Sequence, residues 1–350
     1  MRIVIISDAW FPQVNGVVRT IDTLRNGLKE HGHEAVVIGP DRFSSIPCPT
    51  YPEIRLAIAP GGKLTKLIED AMPAAIHIAT EGPLGVAARR YCLKRGHPFT
   101  TAYHTRFPQY IHSRFRIPCA WSYRFLRWFH NPSSAIMVAT QSIEDDLRAR
   151  GFTRIRRWSR GVDTKMFHPR DKQFLSGPRP ISLYVGRIAV EKNIDDFLSL
   201  DLPGTKYVVG DGPQMAHLQK RHPEVRFVGM KSGEDLARHY AAADVFVFPS
   251  RTDTFGLVLL EALASGVPVA AYPVAGPLDV IGGTDAGVLD EDLRTAVLKA
   301  LGIPAETCRA LAGRYSWAAC TEQFIANLHP FENASVPIRR EAEAPSMEKP

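Results

Sequence analysis

Short apolar runs alternate with longer amphipathic segments through the first half of the chain. The runs predict β-strands at residues 2–7, 34–39, 74–79, 98–102, 135–139 and 155–159. Helical patterns lie between several of them, the first over residues 17–31. Strands that alternate with helices are typical of a parallel, doubly wound sheet. Ligands bind such sheets at the edge formed by the carboxyl ends of the strands.

A second series of the same kind begins at residue 181. It predicts strands at residues 181–185, 207–209, 225–228 and 244–248, with a helix at 234–242. The intervening residues 161–180 are rich in Pro and Gly, which indicates a link between domains. A length of 350 residues also favours two domains. We therefore predict two doubly wound α/β units in sequence.

The stretch 249–268 carries the most informative chemistry. A polar turn follows a predicted buried strand, and Gly256 then opens an apolar helix. Asp253 and Glu261 flank seven residues here, with Glu261 in the helix and Asp253 beside its N-terminus. The unpaired N–H groups and positive dipole end of a helix suit a phosphate or a hydroxyl-rich ligand. The alternative is a buried structural unit in which the two carboxylates are a helix cap and a solvated charge.

Three further turns are predicted at the same sheet edge, at Gly186, Gly210 and Gly229. Arg187 and Lys192 follow the first of these turns, and together they could neutralise a diphosphate. The alternative is a surface salt bridge that involves the intervening Glu191.

The first half offers two weaker signals. Asn15-Gly16 lies between the first strand and the first helix, where a glycine lets a ligand approach the backbone closely. His104 follows a predicted strand and is expected at a carboxyl end of the sheet. Taken alone, an Asn-Gly turn more often closes a loop, and a single histidine is more often structural.

The charge is distributed unevenly. Residues 1–165 hold 24 Lys and Arg against 13 Asp and Glu, whereas the whole chain has a net charge of +7. No acidic residue occurs in 82–143, which holds nine basic and eleven aromatic residues. This pattern indicates an anionic partner, and nucleic acid, a membrane surface and a phosphorylated substrate remain open.

Composition excludes several classes of protein. No apolar run is long enough to span a bilayer, and the first strand meets Asp8 too soon for a signal peptide, so we expect a cytoplasmic protein. Five scattered cysteines without a Cys-x-x-Cys pair argue for reduced thiols and against a zinc site.

Taken together, these motifs resemble the retaining glycosyltransferases of family 4. The resemblance covers residues 1–328 and extends to the branch of diacylglycerol glycosyltransferases, phosphatidylinositol mannosyltransferases and GDP-mannose-dependent mannosyltransferases. The matching motifs are Asn15-Gly16, His104, Gly161-Val-Asp163, Gly186-Arg187, Glu191-Lys192, Gly210-Asp-Gly-Pro213, Phe255-Gly256 and Glu261. The first of the two acids spaced by seven residues is usually a glutamate in the family, and here it is Asp253.

The family implies the GT-B fold, in which two Rossmann-like domains face each other across a cleft. The acceptor-binding domain is then expected at 1–168 with a returning helix at 316–329, and the nucleotide-sugar-binding domain at 169–315. A Pro- and charge-rich tail at 330–350 is expected to be disordered.

The resemblance also implies roles for individual residues. Glu261 would hold the ribose hydroxyls, Arg187 and Lys192 the diphosphate, and Asp253 with His104 the donor sugar. The residues expected at the donor are Gly16, Val17, Gly186, Gly210, Gly229, Met230, Lys231, Thr254, Phe255, Gly256, Leu257 and Glu261. Because no His and carboxylate cluster has metal-ligand spacing, we expect Arg and Lys, not a metal ion, to stabilise the leaving diphosphate.

The acid-free interval leads to a prediction about the acceptor. A basic, aromatic surface suits an enzyme that takes its acceptor from an anionic membrane, so we expect a peripheral enzyme with a lipid acceptor such as diacylglycerol. The residues expected at that surface are Arg114, Arg116, Trp121, Tyr123, Arg124, Phe125, Arg127 and Trp128. The alternatives are a soluble transferase that uses GDP-mannose or UDP-glucose with a sugar acceptor, a nucleotide-sugar epimerase and a non-catalytic nucleic-acid-binding protein. The sequence decides neither the base nor the sugar of the donor.

Overall fold

The structure is a computed structural model of the chain. It describes residues 1–13, 15–48, 51–109, 116, 118–253 and 255–331, with the backbone alone at 51–53. The predicted tail at 330–350 lies, from residue 332 onward, outside the described residues.

The first half of the chain forms a six-stranded parallel sheet with the order β2-β1-β5-β6-β7-β8. Its strands are β1 (Arg2–Ile6), β2 (Glu34–Ile38), β5 (Ala75–Ile78), β6 (Thr100–Tyr103), β7 (Ala135–Val138) and β8 (Ile155–Arg157). These strands are buried at nearly every position except at the ends of β2 and β8, as expected of a sheet covered by helices on both faces.

The second half forms a separate six-stranded parallel sheet with the order β11-β10-β9-β12-β13-β14. Its strands are β9 (Ile181–Val185), β10 (Thr205–Val209), β11 (Arg226–Phe227), β12 (Val245–Phe248), β13 (Val269–Ala271) and β14 (Gly287–Leu289). Two parallel sheets with helices between their strands confirm the predicted α/β fold class.

Helices cover both faces of both sheets. In the first half they are α1 (Gly16–Glu30), α2 (Gly61–Ala71), α3 (Pro83–Arg95), α4 (Cys119–His130) and α5 (Gln141–Ala149). In the second half they are α6 (Ile194–Leu198), α7 (Met215–Arg221), α8 (Gly233–Ala242), α9 (Leu257–Ala264), α10 (Ala275–Ile281), α11 (Leu293–Ala300), α12 (Ala305–Ala312) and α13 (Trp317–Asn327). Each face of each sheet has its own cluster of buried apolar side chains.

The last helix returns to the first sheet. Phe324 of α13 belongs to the same buried cluster as Leu24 and Leu28 of α1. The two helices approach closely at Gly27, where a Cβ atom would lie 2.4 Å from the hydroxyl oxygen of Thr321. The chain therefore crosses from the second sheet back to the first between α12 and α13.

A short antiparallel hairpin, which the sequence pattern did not predict, lies between α1 and α2. Its strands are β3 (Ser45–Cys48) and β4 (Tyr51–Ala57), and their register shifts between Pro47 and Cys48. Proline interrupts the alternation of apolar and polar positions here, which hides a strand from a periodicity argument.

Candidate active site

Three of the predicted glycine turns lie together at the carboxyl edge of the second sheet. The amide of Gly186 donates to Val209, and the amide of Gly210 donates to Gly229 at 2.9 Å. Gly210 has a φ of +139°, and a Cβ atom there would lie 1.9 Å from the carbonyl oxygen of Gly186. Only glycine fits this approach of the two turns. Met230 is exposed beside them, and Lys231 pairs with Asp235 at 3.3 Å.

Lys192 and Asp253 meet across this edge. Nζ of Lys192, after β9, lies 2.5 Å from Oδ1 of Asp253, after β12. The other carboxylate oxygen of Asp253 is buried and has no hydrogen-bond partner among the described residues. Arg187 is partly buried on the same turn as Lys192, and its carbonyl oxygen accepts a hydrogen bond from Tyr184 at 2.8 Å. A predicted cation and a predicted sugar-binding acid are thus brought together, with one polar oxygen left for a ligand.

The turn into α9 is closely packed. Gly256 precedes the helix with a φ of +84°, a left-handed conformation that favours glycine. Phe255 is buried beneath it, and a Cβ atom at Gly276 would lie 3.0 Å from its carbonyl oxygen. Leu257 is the first residue of the helix. Thr254, predicted to bind the donor, lies outside the described residues.

Glu261 is buried on α9 and holds two hydrogen bonds from different parts of the chain. Tyr240 of α8 donates its hydroxyl to Oε2 at 2.8 Å, and Arg19 of α1 donates to Oε1 at 2.9 Å. Burial raises the pKa of the Glu261 carboxyl, whereas the positive charge of Arg19 and the Tyr240 hydroxyl act to lower it. The carboxylate is therefore oriented by both domains.

The first turn of α1 faces the first turn of α9. The side chain of Asn15 caps α1 and accepts hydrogen bonds from the amides of Val17 and Val18, each at 3.0 Å. A Cβ atom at Gly16 would lie 3.8 Å from Cδ1 of Leu257. The predicted glycine of the first domain therefore lies directly opposite α9, the helix of the second domain that carries Glu261.

His104 follows β6 and is partly buried against Arg160. Nη2 of Arg160 lies 3.1 Å from Nδ1 of His104, and the ring packs against Trp158 with 5.6 Å between centroids. Because a guanidinium can only donate, Nδ1 accepts, and the proton of a neutral ring is on Nε2. Burial lowers the pKa of His104 well below its usual value, and the charge of Arg160 lowers it further. His104 is therefore a neutral hydrogen-bond donor at neutral pH.

Sequence reasoning missed three residues of this site, namely Arg19, Arg160 and Tyr240. Arg19 lies one turn after Gly16 on a predicted helix, so its position beside the cleft could have been inferred. Arg160 and Tyr240 carry no local signal, because only the fold brings them to His104 and Glu261.

The predicted membrane surface divides between the two faces of α4. The prediction was wrong for Tyr123, which is 2% exposed and whose hydroxyl contacts Gln109 and Asp146. It points inward because it shares the helix face of Leu126 and Phe129, which are buried.

The other face of α4 carries an exposed aromatic and basic strip, which we call the α4 face. It consists of Trp121, Arg124, Phe125 and Trp128, with Trp121 73% exposed. Trp128 is stacked over the guanidinium of the buried Arg89, which lies 3.9 Å from the ring centroid. Arg127 lies beside the strip and donates to the carbonyl oxygen of Arg150. Arg116 is exposed nearby in the chain, whereas Arg114 lies outside the described residues.

Within the described ranges, no three His, Cys, Asp or Glu side chains are grouped so that they could hold a metal ion. In the same part of the chain, no helix is both long enough and apolar enough to cross a bilayer.

Comparison with known proteins shows which family the chain resembles. Residues 14–166 match Glycosyltransferase Family 4, and residues 179–302 match Glycosyl transferases group 1. A GDP-mannose-dependent alpha-mannosyltransferase of Mycobacterium tuberculosis is 31% identical over 318 residues, which cover 83% of each chain. An alpha-monoglucosyldiacylglycerol synthase of Streptococcus pneumoniae is 25% identical over an alignment that covers 95% of this chain and 85% of the other.

Solved structures resemble the whole fold at low sequence identity. A sucrose-phosphate synthase from Thermosynechococcus elongatus has a TM-score of 0.75 at 22% identity, covering 93% of this chain and 97% of the other. HepE of Anabaena in complex with UDP and glucose has a TM-score of 0.69 at 16% identity, covering 93% and 98%. This similarity confirms the predicted fold of two Rossmann-like domains that face each other across a cleft.

Proposed function

The chain belongs to glycosyltransferase family 4 and is a hexosyltransferase that uses a nucleotide-sugar donor, and we propose that it acts on a lipid acceptor at an anionic membrane surface. The acceptor we expect is diacylglycerol, and the sugar is transferred with retained configuration. The observation that carries this proposal is the exposed α4 face in a first domain with an excess of positive charge. Because the chain belongs to a family of glycosyltransferases, the alternative of a non-catalytic nucleic-acid-binding protein is excluded.

The donor end of the reaction follows from the charges at the second sheet. Breaking the bond between sugar and diphosphate leaves negative charge on the diphosphate, which fixed cations stabilise. Arg187 and Lys192 are the cations we assign to this role, and the backbone of Gly16 gives the diphosphate room beside the first domain. The same cations are the basis for proposing a reaction without a metal ion.

The sugar would be held from both sides of the cleft. Asp253 presents its unpartnered oxygen to a sugar hydroxyl, and His104 donates from Nε2 on the opposite side. Glu261 accepts from the ribose hydroxyls, since an ionised carboxylate offers about four acceptor sites and makes stronger hydrogen bonds than a neutral group.

The α4 face supports a lipid acceptor. Indole and phenyl rings of this kind enter the boundary between headgroups and acyl chains, and arginines among them pair with anionic headgroups. Each such arginine contributes about 1 kcal/mol near an anionic surface. A water-soluble sugar acceptor gives no reason for three large aromatic side chains to be exposed on one helix.

Sedimentation with vesicles tests membrane binding. We expect the wild type to bind vesicles of phosphatidylglycerol and phosphatidylcholine but not phosphatidylcholine alone. The variants Arg124→Glu/Arg127→Glu and Trp121→Ser/Phe125→Ser should bind at least about tenfold more weakly, because they remove charge or apolar contact. The matched control is Lys220→Glu/Lys299→Glu, the same charge change on exposed lysines of the second domain. Equal, negligible binding of all proteins would remove the membrane from the proposal.

Activity assays test the donor, the acceptor and the stereochemistry. A panel of UDP- and GDP-linked sugars should give one donor that stabilises the protein, by about 2.7 kcal/mol at 100 times its Kd. With that donor and diacylglycerol, proton NMR should show the anomeric configuration of the donor in the product. An inverted product would contradict the retaining mechanism.

A second candidate is a soluble transferase that moves mannose from GDP-mannose to a sugar acceptor. The 31% identity to a GDP-mannose-dependent alpha-mannosyltransferase favours it. Turnover of GDP-mannose with a free oligosaccharide, unaffected by substitutions on the α4 face, would select this candidate over the lipid acceptor.

A further inference from the structure

We infer that Arg19 is a positioning residue for donor binding, which holds Glu261 across the cleft as an oriented, ionised acceptor for the ribose hydroxyls. The inference rests on the ribose-binding role proposed for Glu261. It adds a charged residue of the acceptor domain to the donor site, beside Gly16 and His104 of the same domain.

The geometry of the contact is specific. Arg19 lies on the first turn of α1, and its Nη1 lies 2.9 Å from Oε1 of Glu261, which is 242 positions away in the chain. Its side chain remains about one-third exposed, whereas that of Glu261 is buried. The guanidinium thus reaches from the surface of one domain to the buried carboxylate of the other.

The carboxylate needs this partner. A buried carboxylate loses hydration, which favours its neutral form unless an opposite charge lies close to it. Tyr240 supplies one hydrogen bond to Oε2 but no charge. Arg19 supplies both, and its charge counteracts the increase in the Glu261 pKa that burial causes.

The other elements packed on α9 supply no substitute charge. α8 contributes Tyr240, whose own pKa is raised well above its usual value, so it stays neutral. β12 and β13 present only apolar residues, and Arg309 of α12 binds the carbonyl oxygen of Ala264 at the far end of the helix. Among the described residues that face the carboxylate, the positive charge therefore comes from Arg19.

Two hydrogen bonds do not saturate the carboxylate. Each oxygen can accept a second bond, so Glu261 can hold Arg19 and a ribose hydroxyl together. Arg19 would act through Glu261, by keeping it ionised and by fixing the direction in which its remaining lone pairs point. Because the two residues belong to different domains, the site is complete only when α1 and α9 face each other.

The test is the pH dependence of nucleotide binding in Arg19→Gln. The donor requires ionised Glu261, so affinity falls as the pH drops through the pKa of that carboxyl. Without Arg19 this pKa is higher, and the loss begins at a higher pH. We expect the acid limb of GDP or UDP binding, measured by calorimetry, to move upward by about one pH unit or more, which means about tenfold weaker binding at the affected pH.

Matched variants separate positioning from general effects. Arg19→Lys keeps the charge and should restore the acid limb of the wild type. Arg25→Gln removes an arginine of the same helix that pairs with Asp22, and it should leave the profile unchanged. Protonation of the nucleotide phosphate is common to all proteins, so only differences between variants are compared. Glutamine is a good helix former, and melting curves report whether each variant is folded.

The outcomes distinguish this inference from the proposed function. If Glu261→Gln weakens nucleotide binding and Arg19→Gln leaves both the affinity and the acid limb at wild-type values, the positioning role is wrong and the ribose role stands. If Glu261→Gln binds both nucleotides as the wild type does, the ribose assignment itself fails.

Discussion

The ion pair of Lys192 and Asp253 joins two residues to which we assign different roles. Asp253 replaces the glutamate that is usual in the family, so its carboxylate extends one methylene less from the backbone. Lys192 reaches it at 2.5 Å and fixes one of its oxygens. The shorter acid is thus held in place by the cation that we assign to the diphosphate.

Lys192→Ala should lower kcat/KM by about 10²-fold or more, because it removes a fixed charge from the leaving group and leaves Asp253 without its cation. Initial rates with the selected donor measure this effect. Lys299→Ala is the control. Lys299 is an exposed lysine of the same domain that also pairs with an aspartate, with 3.4 Å between its Nζ and Oδ2 of Asp290. Equal rates for the two variants would show that Lys192 has no part in transfer.

Burial keeps His104 neutral, and the charge of Arg160 strengthens this effect. Removing its charge in Arg160→Gln should raise the pKa of His104 towards the usual value, because both the repulsion and the bond to Nδ1 are lost. NMR titration of the ring should show this increase, and turnover should then decline at acidic pH as His104 becomes charged. An unchanged titration of His104 would separate Arg160 from the site. Arg157→Gln is the control. Arg157 is the last residue of β8, and its guanidinium donates to the carbonyl oxygen of Ala139 and not to His104.

At the level of the helices and strands, the glycine turns decide how closely the strand ends can approach. Gly210 contacts the Gly186 turn so tightly that the two form one surface at the carboxyl edge of the second sheet. The turn at Gly186 follows β9 and the turn at Gly210 follows β10. Their contact fixes the position of the backbone after both strands.

Gly210→Ala should destabilise the protein by at least about 1–3 kcal/mol and weaken nucleotide binding, because its φ of +139° and the carbonyl of Gly186 leave no room for a Cβ. Thermal melting and calorimetry measure the two effects. Gly61→Ala, at a glycine with open space around it, should melt like the wild type. A Gly210→Ala protein with wild-type stability would contradict the contact between the turns.

For the molecule as a whole, the polar contacts between the two domains include, among the described residues, two that involve side chains. One is Arg19 with Glu261, and the other joins α5 to α10. There Asp279 accepts from the amide of Ser142 at 3.2 Å and from its hydroxyl. These contacts join the two domains on either side of the cleft.

Asp279→Ala should raise KM for the donor by up to about tenfold to a hundredfold while leaving each domain folded, since it removes hydrogen bonds to a charged group worth about 1.5–3 kcal/mol at most. Small-angle X-ray scattering should show a larger radius of gyration for the variant. Asp285→Ala, at an exposed loop residue of the same domain, is the control. A wild-type radius and KM in Asp279→Ala would show that this contact does not hold the domains together.

The local pattern of the sequence predicted the α/β architecture and the turns at which the candidate site lies. The strand predicted at 181–185 is β9 residue for residue, because a strand buried on both faces must be apolar throughout. The turns at Gly186 and Gly210 and the helix after Gly256 follow from local backbone requirements that glycine alone satisfies.

Tertiary structure decided which side chains pair with each other. The sequence placed Glu261 on a helix, but its partners Arg19 and Tyr240 are distant in the chain and are selected by packing. On α4 both faces carry aromatic residues, so periodicity could not tell which face is buried, and Tyr123 was assigned to the wrong one. Local preferences act over a few residues, whereas burial and ion pairing between domains exist only after the chain has folded.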